Sequence, residues 1–79
     1  MRETVPADRL LEILNAELGA RCSDCEFTGP VQPLDEPYSD GGNWARSLVV
    51  RGRPADPYAA GTIAADVVED VAARYNLAR

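Results

Sequence analysis

Apolar residues recur at helical spacing near the start of the chain. Thr4 can cap a helix here, Pro6 suits a first turn, and Gly19 is a natural terminator. One face of this helix carries a stripe of apolar residues: Ala7, Leu10, Leu11, Leu14 and Leu18. The pattern therefore predicts a first amphipathic helix between Thr4 and Gly19.

A second helical pattern lies near the end of the chain. Asp56 followed by Pro57 is a strong start signal, because aspartate caps free N–H groups and proline fits the first helical position. Asn76 can end the helix in a left-handed conformation. The predicted buried stripe is Ile63, Val67, Val71 and Tyr75, with Ala64 and Val68 beside it.

Between the two helices the pattern changes to extended segments. The arm "CEFTGPVQPLDEP" holds three prolines and predicts an edge strand or two short strands with a turn at Gly29-Pro30. A bulge or break near Gln32-Pro33 would reconcile Phe27 and Val31, on one face of an ideal strand, with Leu34 on the other. After the turn "SDGGN", strand alternation places Trp44, Leu48 and Val50 on one side. We therefore expect a hairpin or a small meander with Trp44 in the core. The outer edge of the strand from Trp44 to Val50 has no protecting proline.

These elements predict an α+β fold: two helices packed on a small antiparallel sheet of two or three strands, in the order α-β-β-(β)-α. Residues 1–79 show no internal repeat, linker or low-complexity tract, and we expect a single domain. The order also resembles that of double-stranded RNA-binding folds. Those folds need a basic helix start, whereas the second helix here opens with "ADPYAAG".

Composition narrows the possible functions. The 46% apolar content is that of a globular chain, and the longest aliphatic run is Leu48-Val49-Val50, far too short to span a bilayer. No apolar segment follows the start "MRETVPADRL", so we expect no signal peptide and a cytoplasmic, non-membrane protein. Thirteen acids against eight arginines give a net charge of −5, which disfavours direct nucleic-acid binding.

The chain contains no histidine, the commonest general base and metal ligand. No nucleophile, cofactor motif or metal motif accompanies its carboxylates, so we expect no enzymatic activity and no cofactor.

One motif has a named chemistry, the "CSDC" pair of Cys22 and Cys25. It follows the first helix rather than starting one, and Asp24 and Glu26 add negative charge that raises thiol pKa. Three interpretations of this pair remain open: structural thiols, a labile local disulfide, or a metal site shared between two copies of a homodimer. Cys22 and Cys25 are therefore weak metal-site candidates.

Two acidic groups are the candidate partner-binding residues. Asp66, Glu69 and Asp70 project from the second helix within roughly 100° of arc. A second group at the hairpin end holds Asp35, Glu36 and Asp40. They predict either a solvated surface, in which Arg74 pairs with Asp70, or a surface that binds a basic partner by imitating nucleic-acid phosphates.

The second hairpin arm carries the opposite charge. No acid lies between residues 41 and 55, the segment that holds Arg46, Arg51 and Arg53, and we expect these arginines to pair with the domain's own carboxylates rather than form a phosphate site.

In its size, its charge, its two acidic groups and its lack of catalytic residues, the whole chain resembles the small acidic inhibitors of bacteriophages and mobile elements. Anti-CRISPR proteins are among them. The phrase "GGNW…RG…YNL" also resembles small uncharacterised proteobacterial proteins. The anti-CRISPR resemblance implies binding to a CRISPR surveillance complex and obstruction of its DNA-binding surface.

The sequence therefore predicts a non-enzymatic binding protein, monomeric or homodimeric, that blocks a basic surface on a partner protein. The alternatives are a thiol- or metal-responsive module built on Cys22 and Cys25, and a housekeeping interaction domain.

Overall fold

The computed structural model describes residues 2–78 and shows a mixed α+β fold. In chain order its elements are β1 (Glu3–Val5), α1 (Ala7–Arg21), β2 (Cys25–Thr28), β3 (Val49–Gly52), α2 (Pro57–Arg74) and β4 (Tyr75–Leu77). β2 and β3 pair antiparallel, and β1 and β4 pair parallel. The predicted fold class is confirmed, and a short strand at each end is added to it.

The helix signals in the sequence act as expected at α2. The Asp56 carboxylate accepts hydrogen bonds from the N–H groups of Tyr58 and Ala59, at 3.1 and 3.2 Å, and Pro57 is the first helical residue. Both helices bury one apolar stripe against the hairpin. The buried residues of the helices are Leu10, Leu14, Leu18, Ala60, Ala64, Val67, Val68, Val71 and Ala72.

The predicted boundaries of the first helix are wrong at both ends. Thr4 does not cap α1, because it lies in β1 opposite Asn76 of β4. α1 begins at Ala7 after Pro6, and it runs past Gly19 to Arg21. The strand pairing at the N-terminus therefore takes residues that the local pattern assigns to a helix start.

The predicted end of the second helix is also wrong. α2 ends at Arg74, and Tyr75, expected in the buried helical stripe, begins β4. Asn76 is extended rather than left-handed, and within residues 2–78 only glycines have a positive φ.

The two hairpin arms keep one register over their whole length. Cys25 pairs with Gly52, and eight residues further along the first arm Pro33 pairs with Trp44, eight residues back along the second. Regular pairing stops after Thr28 and resumes at Gln32, whose carbonyl accepts from the Ala45 N–H at 2.8 Å. The interruption therefore lies at residues 29–31, at the predicted Gly29-Pro30 turn rather than near Gln32-Pro33, and it produces no net shift in register. The regular strand is shorter than predicted, because Trp44 forms an isolated bridge outside β3.

Trp44 is fully buried, as predicted, and its indole Nε1–H donates to the Tyr75 carbonyl at 3.1 Å. Val50, predicted to share its side of the strand, is 38% exposed although it lies opposite buried Phe27. Strand alternation therefore predicts the burial of Trp44 correctly, but it predicts more burial for Val50 than the structure shows.

Two asparagine side chains complete the strands. The Asn15 amide bonds both the N–H and the C=O of Phe27 in β2, at 2.6 and 3.1 Å. The Asn43 amide does the same for Leu77 in β4, at 2.7 and 2.9 Å. Each amide satisfies the two backbone groups that a further strand would otherwise bond.

Candidate interaction surface

Arg46 joins one acid from each of the two predicted acidic groups. Its Nη2 lies 2.8 Å from a carboxylate oxygen of Asp40 in the hairpin turn, and its Nη1 lies 3.5 Å from the Glu69 carboxylate on α2. The Arg46 side chain is only 18% exposed, and its guanidinium packs 4.4 Å from the ring centre of Tyr38. A half-buried cation therefore links acids that are 29 positions apart in the sequence.

Asp40 is the most constrained of these acids. It accepts two hydrogen bonds from Arg46 and one from the Gly42 N–H at 2.9 Å, and Arg2 approaches it at 3.7 Å. The Arg46 hydrogen bonds, followed by that of Gly42, hold the pKa of Asp40 below its usual value of 3.8. Asp40 is therefore a structural anchor as well as a surface charge.

The α2 acids differ in their pairing. Asp70 bonds Arg21 of α1 at 2.9 Å and not Arg74, so the predicted Asp70–Arg74 side-chain pair is wrong. Arg74 instead contacts Glu17, and its Nε donates to the Asp70 carbonyl. Asp66 is exposed and has no ion pair within residues 2–78.

The remaining two acids, Asp35 and Glu36, lie in the exposed first arm of the hairpin, and they too make no ion pair with any described residue. We call the six predicted carboxylates the acidic face: Asp35, Glu36, Asp40, Asp66, Glu69 and Asp70. Three arginines, Arg2, Arg21 and Arg46, lie within 4.0 Å of its members. Negative charge therefore remains in excess on these residues.

The arginine prediction holds for one of its three residues. Arg46 pairs with the domain's own carboxylates, whereas Arg51 and Arg53 have no carboxylate within 4.0 Å among residues 2–78. Arg51 lies opposite Glu26 in the β2–β3 ladder without reaching ion-pair distance.

The thiol pair lies in a tight turn between α1 and β2. Both cysteines are free, Cys22 half-buried and Cys25 buried, and the Cys25 N–H donates to the Cys22 carbonyl at 3.3 Å. A hydrogen bond with Cys22, with burial and the nearby Asp24 charge adding to it, raises the pKa of Cys25 to about 11. This thiol is protonated at neutral pH, which disfavours nucleophilic and metal-binding chemistry. No group of three or more metal-ligating side chains occurs in the part of the chain that the structure describes.

Sequence reasoning missed the contacts that assemble this surface. Tyr38 and Arg2, which hold Arg46 and Asp40, carry no local signal in the sequence that points to their role. The one available signal was the absence of acids between residues 41 and 55, which favoured pairing of Arg46 with carboxylates outside that segment.

The comparisons with known proteins name no relative. No protein-family model matches the chain, and neither the curated proteins nor the solved structures include a significant match. Neither helix of the described chain is long and apolar enough to cross a membrane.

Proposed function

We propose that this is a non-enzymatic binding protein whose acidic face docks on a basic surface of a partner protein and blocks it. The observation that carries the proposal is the Asp40–Arg46–Glu69 bridge, which joins acids of the hairpin and of α2 on one half-buried cation. Acids held in fixed positions by a folded scaffold present a charge pattern to a partner without ordering a flexible segment on binding.

The pairing within the face sets how strongly it attracts a partner. Asp66 and the hairpin acids Asp35 and Glu36 have no ion pair within residues 2–78, so their charge is available to an incoming cation. The Glu69 and Asp70 side chains are 67% and 54% exposed, and ion pairs of such exposed carboxylates contribute little to stability. A partner rich in arginine and lysine competes for all of them.

The partner chemistry is that of a surface which otherwise holds nucleic-acid phosphates. Such surfaces present several lysines and arginines at once, and regularly placed carboxylates imitate the phosphate charge. The resemblance to anti-CRISPR inhibitors adds a first partner to test, the DNA-binding surface of a CRISPR surveillance complex.

Affinity capture from the native host with matched charge variants tests the proposal. Asp66→Asn/Glu69→Gln/Asp70→Asn removes three charges from the face. Neutral side chains are preferable to arginines, since arginines would lie beside Arg46 and Arg21 and repel them. The control removes the same charge from exposed residues on α1, the thiol turn and β2: Glu12→Gln/Asp24→Asn/Glu26→Gln.

The proposal predicts that the unmodified chain and the control triple variant both capture a protein with a basic surface. The α2 triple variant, Asp66→Asn/Glu69→Gln/Asp70→Asn, is expected not to capture it. The captured protein is also expected to elute as salt rises. Capture of the same proteins by all three chains, or capture of none by the unmodified chain, contradicts it.

A further inference from the structure

β3 has an open hydrogen-bonding edge. Residues opposite one another in an antiparallel ladder alternate between hydrogen-bonded and non-hydrogen-bonded pairs. Phe27 is opposite Val50, and its N–H and C=O are taken by Asn15 on the far side of β2. The N–H and C=O of Val50 therefore point away from β2, and no other group within residues 2–78 bonds them.

Three other edge positions in this fold are closed. Asn15 covers β2 at Phe27, Asn43 covers β4 at Leu77, and Pro33, which faces outward on the first hairpin arm, has no N–H to offer. The edge at Val50 has neither an amide side chain nor a proline against it. An exposed edge of this kind is a template for pairing with another chain.

An apolar groove runs beside this open edge, between β3 and the first half of α2. Two adjoining cavities of about 220 and 230 Å³ meet at Val50 and Gly61. Leu48 lines the groove on the hairpin side, and Ala60 and Ala64 line it on the α2 side. A side chain added at Gly61 would meet nothing within 4 Å, so there is room here for a residue from outside.

The groove has unpaired positive charge at its Arg51 end, because Arg46 is already paired with Asp40 and Glu69. The charged residues that line it are Arg46 and Arg51, and the α2 segment from 57 to 65 has no charge at all. Arg51 and the adjacent Arg53 have no carboxylate within ion-pair distance in the described chain, so both are available to an anionic partner.

We infer that β3 binds an extended segment of a partner protein as an added strand, with apolar side chains in the groove and acidic side chains beside Arg51 and Arg53. Strand alternation produces this division, because successive residues face opposite sides. The charges select this occupant over a second copy of the chain, whose β3 would bring arginines against arginines. The inference rests on the open edge of β3 and on Arg51 and Arg53 rather than on the acidic face, although Arg46 borders both surfaces.

The test uses the full chain, labelled with ¹⁵N, and a fluorescein-labelled peptide of alternating glutamate and valine. We expect saturable binding by fluorescence. In the NMR spectrum we expect chemical-shift changes centred on Leu48, Val50 and Gly61, and slower hydrogen exchange at the Val50 N–H. A matched lysine–valine peptide is expected to have a dissociation constant at least about tenfold higher, which is the effect expected from the loss of one favourable contact.

Two independent variants separate the backbone and groove contributions. Val50→Pro removes the outward N–H without removing a ladder hydrogen bond, and it is expected to weaken peptide binding at least about tenfold. Gly61→Leu fills the groove and is expected to do the same. Its matched control is Gly19→Leu on α1, an equally unobstructed site, which is expected to bind like the unmodified chain.

The inference is overturned if the glutamate peptide does not bind, if its shift changes lie away from β3, or if the lysine peptide binds as well. Equal binding by Gly61→Leu and Gly19→Leu also overturns it, even if Val50→Pro fails to fold. Concentration-dependent protection of Val50 without peptide would assign the edge to a second copy of the chain instead.

Discussion

At the scale of single residues, Arg46 decides how the surface is built. Its guanidinium packs against the Tyr38 ring, its Nη2 pairs with Asp40 and its Nη1 pairs with Glu69. Its Nε–H is buried without a partner in the described chain. A cation in this position fixes the hairpin turn against α2. Asp40 is the carboxylate that bonds it most closely, and this contact holds the pKa of Asp40 below its usual value.

Asp40 is expected to give the fold a specific acid sensitivity. Its pKa in the folded chain lies below the unfolded value, so its contribution to stability is full above the unfolded pKa and is lost as pH falls through the folded pKa. The difference in unfolding free energy between the unmodified chain and Asp40→Asn should therefore shrink on acidification. Urea unfolding at a series of pH values measures it.

The control for this measurement is Asp35→Asn, because Asp35 has no ion pair within residues 2–78. Asp35→Asn should change the unfolding free energy by less than Asp40→Asn does at neutral pH. A difference for Asp40→Asn that stays the same at every pH would show that the Arg46 contact does not stabilise the fold.

The two cysteines are expected to differ in reactivity. The thiolate is the reactive form, and Cys25 is buried with its pKa raised to about 11, so at about pH 8 iodoacetamide should modify Cys22 first. Cys22→Ala removes the leading cause of the raised pKa and should speed modification of Cys25. Peptide mass spectrometry follows both rates. Equal rates in the unmodified chain, with no response to Cys22→Ala, would contradict this ordering.

At the scale of elements, asparagine amides replace missing strands. Asn43→Ala leaves the buried backbone groups of Leu77 without partners, which should cost about 1–3 kcal/mol of unfolding free energy. Asn76→Ala removes one hydrogen bond, to the Gly41 carbonyl, together with a buried Oδ1 that has no partner in the described chain, and it is expected to cost about 0.5 kcal/mol or less. Urea unfolding of the two variants measures the contrast, and equal losses would mean that Asn43 does not complete β4.

The elements also show which parts of the fold can be predicted from the sequence and which cannot. The helices were predictable because their periodicity and the Asp56-Pro57 start are local signals. β1 and β4 were not, since three-residue strands more than 70 positions apart gain stability only from each other and from the core. Thr4 and Asn76 have reasonable local roles at helix ends, and the strand pairing overrides both.

The candidate residues could be named from the sequence, but their arrangement in space could not. Acidic side chains are visible in the sequence, and helical spacing places Asp66, Glu69 and Asp70 together on α2. The contact between Asp40 and Glu69 through Arg46 depends on how the hairpin packs against α2. No pattern along the chain encodes that packing.

At the scale of the whole molecule, the net charge of −5 is divided unevenly. The acidic face holds six of the thirteen carboxylates, and the β3 groove is lined by arginines alone among charged residues. A molecule with this distribution presents surfaces of opposite sign to partners of different chemistry. The acidic face is the larger of the two by charge and carries the proposed inhibitory role.

The dissociation constant of the captured partner, measured against salt concentration, tests that role most directly. Docking of the acidic face on a basic surface predicts that the dissociation constant rises with salt, and that Asp66→Asn/Glu69→Gln/Asp70→Asn both weakens binding and flattens this dependence. The control triple Glu12→Gln/Asp24→Asn/Glu26→Gln should follow the unmodified chain. A dissociation constant that does not change with salt, or that is the same for the α2 triple and the unmodified chain, would contradict the role of the acidic face.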